Sequence, residues 1–301
     1  MKFGVLGYGK IVRTELAPAF AEAGHPIVAV GSRSGQRPDG FEGTVHASYS
    51  DCIQDPEVEA IYIATPNHLH VPLSIEAMQA GKPVLCEKPV AMSGADFERL
   101  KKAQIASGST LMEAFMVQHH PQWERIAEHP WGQQKLLHTS FTYGPRLDTD
   151  VRSKAELGGG VWLDIGCYGL WACYQFGARQ LKSVSGNFRE QQGCCVHAQV
   201  TLHFDELDAQ IEVGGLHFRQ QSLTLTTDRE RLQVTRPFNP LGETINTYQT
   251  DDELTQWHDQ ANQYARMIEY FVEHADSGQF LYEERSALIA QWSNRIVTTL
   301  K

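Results

Sequence analysis

Two short stretches place reactive side chains where a fold must expose them. "CEKPVAMS" (86–93) sets a carboxylate, Glu87, and an ammonium, Lys88, directly after an apolar run, with Pro89 next. Proline fixes φ, so the turn holds Lys88 in one place. A lysine so held donates to a hydroxyl and favours ionisation of a neighbouring acid. "GGGVWLDIGCYG" (158–169) sets Asp164 and Tyr168 four residues apart, which on a helix is one turn along one face. A phenol has an ordinary pKa of about 10, so it accepts a proton near neutrality only with a cation nearby. Lys88 is the candidate cation, Tyr168 the candidate proton carrier, and Asp164 orients the substrate or tunes Lys88. Plainer roles compete. Glu87 and Lys88 could be a salt bridge capping a strand, Tyr168 a core aromatic beside Trp162 and Trp171, and Asp164 a first-turn carboxylate serving the helix dipole. Whether Tyr168 or Lys88 carries the proton stays open.

A third stretch, "VLGYGKIV" (5–12), gives Gly7-x-Gly9-x-x-Val12 between an apolar run and a helical pattern. Glycines there let backbone approach a pyrophosphate, and a helix N-terminus supplies amide donors. Gly7, Gly9, Lys10 and Ile11 are the candidate phosphate contacts; an ordinary strand-to-helix turn is the alternative. The second strand ends "VAVGSRSGQR" without the acid that accepts from the ribose of NAD. Ser32 and Arg33 stand there instead, and an arginine suits a 2′-phosphate, so NADP is the expected cofactor, with NAD possible. Arg33 and Arg37 could also be solvated loop charges. "ATPNHLH" (64–70) offers Thr65, Pro66, Asn67 and His70 to the same cofactor. His68-x-His70 with His119 and His120 lacks a recognisable ligand spacing, so no metal is expected. Arg152 and His120 are candidate substrate contacts, and Trp123, Tyr143 and Arg146 candidate pocket walls.

These residues need elements to hold them. Strands at Lys2–Gly7, Pro26–Gly31, Glu59–Ala64, Pro83–Cys86 and Ser109–Ala114 alternate with helices at Lys10–Gly24, Val71–Ala80 and from Ser93 to about Gly108. A short extended piece at Thr44–Ala47 and a brief helix near Ser50 lie between. Apolar strands alternating with helices mean a parallel sheet covered on both faces, and ligands bind outside its strands' carboxyl ends. After "MVQHHP" the period becomes two: Gln134–Tyr143, Val196–Phe204, Leu207–Val213, Ser222–Thr227 and Arg231–Thr235 read as antiparallel strands. Val161–Gly177 reads as a helix, and two more helices near 257–276 and 284–300 close the chain. "TDDELTQWHDQ" (250–260) reads as a solvated loop and helix start. The expected fold is α/β: a Rossmann domain, 1–118, and an α+β domain, 119–301, with a large, mostly antiparallel, open-faced sheet for substrate binding and oligomerisation.

The chain has 301 residues, 42% of them apolar, and a net charge of −10. That balance argues against nucleic acid or an anionic membrane as a partner. Its six cysteines show neither a C-x-x-C pair nor a disulfide framework, which suits a reducing cytoplasm. No signal peptide is visible, and no run reaches the roughly 20 apolar residues of a membrane span.

Taken together, Gly7-Tyr8-Gly9-Lys10-Ile11, "ATPNHLH", "CEKPVAMS", "MEAFMVQHHPQ" and "GGGVWLDIGCYG", in this order, resemble the Gfo/Idh/MocA oxidoreductase family. The nearest likeness is to its dihydrodiol dehydrogenase and NADP-dependent D-xylose dehydrogenase branch. The motifs cover residues 4–169; beyond about 180 only the sheet-like character matches. The resemblance implies hydride transfer between NADP(H) and a hydroxyl or carbonyl carbon of a sugar, polyol or cyclic diol. It assigns Lys88 as the catalytic-site lysine, carries the family's aspartate and His/Tyr onto Asp164 and Tyr168, and implies that Lys88 and Tyr168 meet at one nicotinamide. It also implies a homodimer, or a dimer of dimers, through the second sheet. Val12 replaces a commoner Ala or Gly, and Gln118 a common Arg. A biliverdin-reductase-like enzyme would share the first domain without needing Asp164 and Tyr168. A non-catalytic dinucleotide sensor would be expected to lose Lys88.

Overall fold

A computed structural model describes residues 1–147, 150–240 and 243–300. The chain divides into two compact units: residues 1–119 with 262–287, and residues 120–261 with 288 onward. The return of 262–287 to the first unit differs from a second domain running unbroken over 119–301. Its cause is apolar: Phe271 packs 6.0 Å from Phe3, which lies 4.7 Å from Phe20.

The first unit holds strands β1 (Phe3–Leu6), β2 (Ile27–Gly31), β3 (Thr44–His46), β4 (Ala60–Ile63), β5 (Val84–Glu87) and β6 (Leu111–Ala114). With the short strand Phe280–Leu281 beside β6 they form a parallel sheet, ordered Phe280–Leu281, β6, β5, β4, β1, β2, β3. β1, β4 and β6 are buried throughout, as strands covered on both faces must be. Helices flank them as the sequence expects. The helix Gly94–Ser107 starts at Ser93, whose hydroxyl accepts from Asp96 N–H at 3.1 Å, and ends at Gly108 in the left-handed region. Because every strand runs one way, the segments after β1, β2, β4 and β5 leave the sheet along one edge.

The second unit is built on an eight-stranded sheet: β7 (Lys135–Thr142), β8 (Ser183–Gln191), β9 (Cys194–His203), β10 (Leu207–Gly214), β11 (Gln220–Thr226), β12 (Arg231–Val234), β13 (Thr244–Gln249) and β14 (Leu254–Asp259). Its order is β14-β13-β12-β11-β7-β10-β9-β8, with every pair antiparallel except β7 and β10. Period-two alternation gives it one dry face. Leu137, Thr139 and Phe141 of β7 and Ala209, Ile211 and Val213 of β10 are buried on it. The helical segment Trp162–Gln175 lies against that face: a Cβ on Gly169 would sit 2.7 Å from Ile211 and 3.0 Å from Thr139. The opposite face carries a register-aligned row of polar residues: Gln256, Thr247, Gln233, Thr224, His138, Gln210, Thr201 and Ser185. The stretch 250–260 corrects the sequence reading. Leu254–Asp259 is an edge strand paired with β13, and the helix begins only at Gln263, capped by Asn262.

Candidate functional site

In the first unit the candidate groups gather along the carboxyl edge of the sheet. Gly7 has φ +85°, and a Cβ there would lie 2.9 Å from the Ala64 carbonyl. The turns after β1 and β4 therefore touch, which only glycine permits. A Cβ on Gly9 would meet nothing within 4 Å, so this residue faces open space. Lys10 and Ile11 open the following helix, and Val12, fully buried, begins a π-helical turn running to Leu16. At the end of β2, Ser32 hydrogen-bonds Ser34 at 3.0 Å and Arg33 is exposed. Arg37 differs from Arg33, donating to the carbonyls of Phe41 and Gly43 at 3.0 and 2.6 Å. Pro66 precedes a 3₁₀ turn at Asn67–Leu69. The buried Thr65 hydroxyl has no hydrogen-bond partner among the described residues. An orphaned hydroxyl, an open Gly9 and the tight Gly7 turn on one sheet edge fit a dinucleotide phosphate.

The lysine loop continues the same edge. Glu87 accepts from the Tyr62 hydroxyl at 2.9 Å and from the Lys88 amide at 3.2 Å. Burial first, then Glu87, pushes the Tyr62 phenol well above its ordinary pKa, so it stays a donor. Lys88 is half-buried and its bond to Pro89 is cis. His70 does not line a cofactor as expected. It is 1% exposed, with Nδ1 2.9 Å from the Pro89 carbonyl and Nε2 2.9 Å from the Thr65 carbonyl. Burial lowers its pKa. A neutral imidazole has one N–H, so the ring donates to one of these two carbonyls while packed between both loops, a role that motif spacing does not reveal.

In the second unit Asp164 lies in a π-helical turn, Trp162–Gly166, that leads into the helix Cys167–Gln175 bearing Tyr168. Arg152 Nε donates to Asp164 at 2.7 Å, and Arg152 Nη1 to Asp150 at 3.3 Å. Asp164, then its hydrogen bond, raises the Arg152 pKa against the effect of burial. Tyr143 also hydrogen-bonds Asp164; burial first, then that carboxylate, raises its pKa far above the usual phenol range. The glycine run brings Arg152 here. Gly159 and Gly160 donate to the carbonyls of Lys154 and Arg152 at 3.0 and 2.8 Å, and a Cβ on Gly159 would strike three carbonyls at 2.7–2.8 Å.

Tyr168 is 4% exposed, its ring 5.4 Å from both Phe141 and Phe238. Tyr143, Arg146 and Arg152 line a cleft of about 120 Å³ with Gln191, Gln192 and Cys195. Two expected contacts lie elsewhere. His120 is fully buried and caps the helix Pro121–Glu128 by accepting from Gln122 N–H. Trp123 is core, donating to the Pro237 carbonyl and packing edge-on against Trp171 at 4.5 Å. Among the described residues no group of three or more His, Cys, Asp or Glu could hold a metal ion, and no helix is long and apolar enough to cross a membrane.

A Rossmann sheet edge with a tight glycine turn and a half-buried lysine, in a chain whose second, α+β unit bears a helical Asp and Tyr, fits a dinucleotide-dependent oxidoreductase. Residues 1–115 match the model of the Gfo/Idh/MocA family, described as an oxidoreductase family with an NAD-binding Rossmann fold. A dTDP-3,4-didehydro-2,6-dideoxy-α-D-glucose 3-reductase of Actinomadura kijaniata is 31% identical over 253 residues, 80% of this chain and 76% of that protein. An NADP⁺ D-xylose 1-dehydrogenase of Haloferax volcanii is 29% identical over 294 residues, covering 93% and 90%. The crystal structure of KijD10, a 3-ketoreductase from Actinomadura kijaniata in complex with NADP and TDP-benzene, superposes with a TM-score of 0.92 at 27% identity, covering 100% of this chain and 98% of that one. The chain belongs to the Gfo/Idh/MocA oxidoreductase family.

Proposed function

We propose that this oxidoreductase uses NADP(H) and acts on a hydroxyl or carbonyl carbon of a sugar, a sugar nucleotide, a polyol or a cyclic diol. The observation that carries the reading is the shared sheet edge: the Gly7–Gly9 turn, Ser32 and Arg33, Thr65 and Lys88 all follow parallel strands of one sheet. Gly7, Gly9, Lys10 and Ile11 take the pyrophosphate, with Thr65, Pro66, Asn67 and Glu87 along the same edge. Ser32 and Arg33 take the 2′-phosphate. The nicotinamide, when bound, supplies the hydride acceptor. Lys88 is the cation, Tyr168 the carrier of the substrate hydroxyl proton, and Asp164, held by Arg152 and Tyr143, the positioning carboxylate. Arg152 also faces the substrate cleft. Relatives named for D-xylose, dTDP-sugars and trans-dihydrodiols support the substrate class.

The test is a panel of aldoses, inositols, dTDP-sugars and trans-dihydrodiols with NADP⁺ and NAD⁺, read at the reduced-nicotinamide absorbance. Reduction by at least one class, faster with NADP⁺, is expected; no reduction with any would overturn the function, and faster NAD⁺ use the cofactor choice. Lys88→Met and Tyr168→Phe should each cut turnover at least 100-fold, roughly the worth of a positioned proton-transfer group, while NADP(H) still binds. Near-normal turnover removes that residue from the mechanism. Six reduced, buried cysteines favour a reducing, cytoplasmic setting. The polar face of the eight-stranded sheet is the proposed dimer surface; a monomer in light scattering would remove it.

A further inference from the structure

The segment that follows Lys88 is fixed from behind by a side chain almost 200 positions later in the sequence. Glu113, in β6, is 2% exposed. One carboxylate oxygen accepts from Val90 N–H at 2.9 Å; the other accepts from Ser286 Oγ at 2.6 Å and from Arg285 Nη2 at 3.1 Å. Arg285 is 1% exposed. Its other terminal nitrogen donates to Gln118 Oε1, and the guanidinium lies 5.3 Å from the Phe115 ring centre and 5.0 Å from that of Tyr282. His70 Nδ1 lies 2.9 Å from the neighbouring Pro89 carbonyl. The two residues after Lys88 thus each have a backbone group within hydrogen-bond distance of a buried side chain.

We propose that Arg285 is a positioning residue for Lys88, acting through Glu113 and the Val90 amide; the inference rests on the reading that Lys88 takes part in the reaction. Stability alone does not account for the arrangement. A buried carboxylate and guanidinium lose much hydration, and well-packed apolar residues often replace such a pair at no loss of stability. What apolar residues cannot do is fix an amide at a set distance. Arg285 spans Glu113 and Gln118 with a planar fork, which a lysine's single ammonium does not reproduce. Placement matters because a shift near 1 Å in a reacting group costs on the order of 100-fold in rate.

The test uses full-length Arg285→Met, Arg285→Lys and Glu113→Gln/Arg285→Met, with Lys88→Met as reference. Thermal melts, NADP⁺ affinity and the pH dependence of kcat are measured for each. In the double variant, which leaves no lone buried charge, the inference expects melting within a few degrees of the parent and NADP⁺ affinity within threefold. It expects kcat at least tenfold lower, with a shifted pH profile. Arg285→Lys should retain the melting point but recover only part of kcat; if neither methionine variant folds, it decides on the same criteria. Parental kcat and pH profile in a folded Arg285 variant, with Lys88→Met inactive, overturns this inference alone. An active Lys88→Met overturns the reading beneath it.

Discussion

Two buried phenols of the second unit, Tyr143 and Tyr168, are candidates for the proton. Tyr143 is buried against Asp164, and both effects raise its pKa, so at any working pH it is a neutral donor. That favours Tyr143 as a donor that holds Asp164 rather than as the base. Tyr143→Phe should therefore lower kcat by roughly 10- to 100-fold, the scale of one hydrogen bond to a charged group, and leave the pH profile of kcat unmoved. Tyr168→Phe should abolish the alkaline activation that a phenolic base gives. Measuring both profiles checks the assignment; a shifted profile in Tyr143→Phe would reverse the two roles. At the other unit's edge, Arg33→Ala should reduce the preference for NADP⁺ over NAD⁺ by at least tenfold in kcat/KM, because Arg37 is already tied to loop carbonyls. Lys88, Asp164 and Tyr168 could be singled out as candidates because each sits inside a short motif. Arg152 was legible only as a charge near the glycines; its bond to Asp164 depends on how the Gly159–Gly160 turn folds back. The packing of His70 was not legible, because a histidine facing a ligand edge and one buried between two loop carbonyls have the same spacing.

At the scale of elements, strand and helix periods transferred well where one face is dry. The parallel strands and β9, β10 and β11 alternate or run apolar as burial demands. Leu254–Asp259 escaped because it is an edge strand with most side chains exposed, so no apolar period marks it. Phe280–Leu281 is too short to carry a period. The segment Met116–His119 is short too, yet it carries a pH signature. His119 packs 5.2 Å from the Tyr270 ring, and burial, then Arg285 and Arg266, lower its pKa to about 3. Its unfolded value is near 6.5. Below that pH the unfolded chain binds a proton that the folded chain refuses, so stability is full above about 6.5 and falls as pH drops toward 3. Between pH 7 and 5 the loss is about 2 kcal/mol. His70 and His25, also lowered, act in the same direction. His119→Gln should flatten the fall in melting temperature over that interval; an unchanged slope would show that other groups set it.

At the scale of the whole molecule, the sequence order hides a structural debt of the first unit to residues 262–287. A break near residue 118 is visible in the change from alternating strands and helices to period-two strands. The return is not, because a chain reads only its neighbours and the returning contacts span more than 150 residues. Phe271 covers Phe3, Gln104 donates to the Gly278 carbonyl at 2.8 Å, and Leu111 N–H is satisfied by the Gln279 carbonyl at 3.0 Å. Arg285 neutralises Glu113. A fragment ending at residue 119 would leave Glu113 a buried charge without its partner, a loss of about 3–5 kcal/mol. It would also expose the aromatic surface beneath Phe271, worth a further ~3–5 kcal/mol by analogy with Phe→Ala changes. Together, at about 6–10 kcal/mol, the two losses rival the total stability of a domain this size, about 5–15 kcal/mol. Residues 1–119 alone should therefore show no cooperative melt and no NADP⁺ binding. The same fragment joined through a flexible linker of ~15 glycine and serine residues to 262–287 should recover both, since that segment brings back the arginine, the phenylalanine and the edge strand together. Calorimetry and dinucleotide titration on the two fragments decide it: a cooperative melt in the shorter one would mean that the first 119 residues fold without the returning segment.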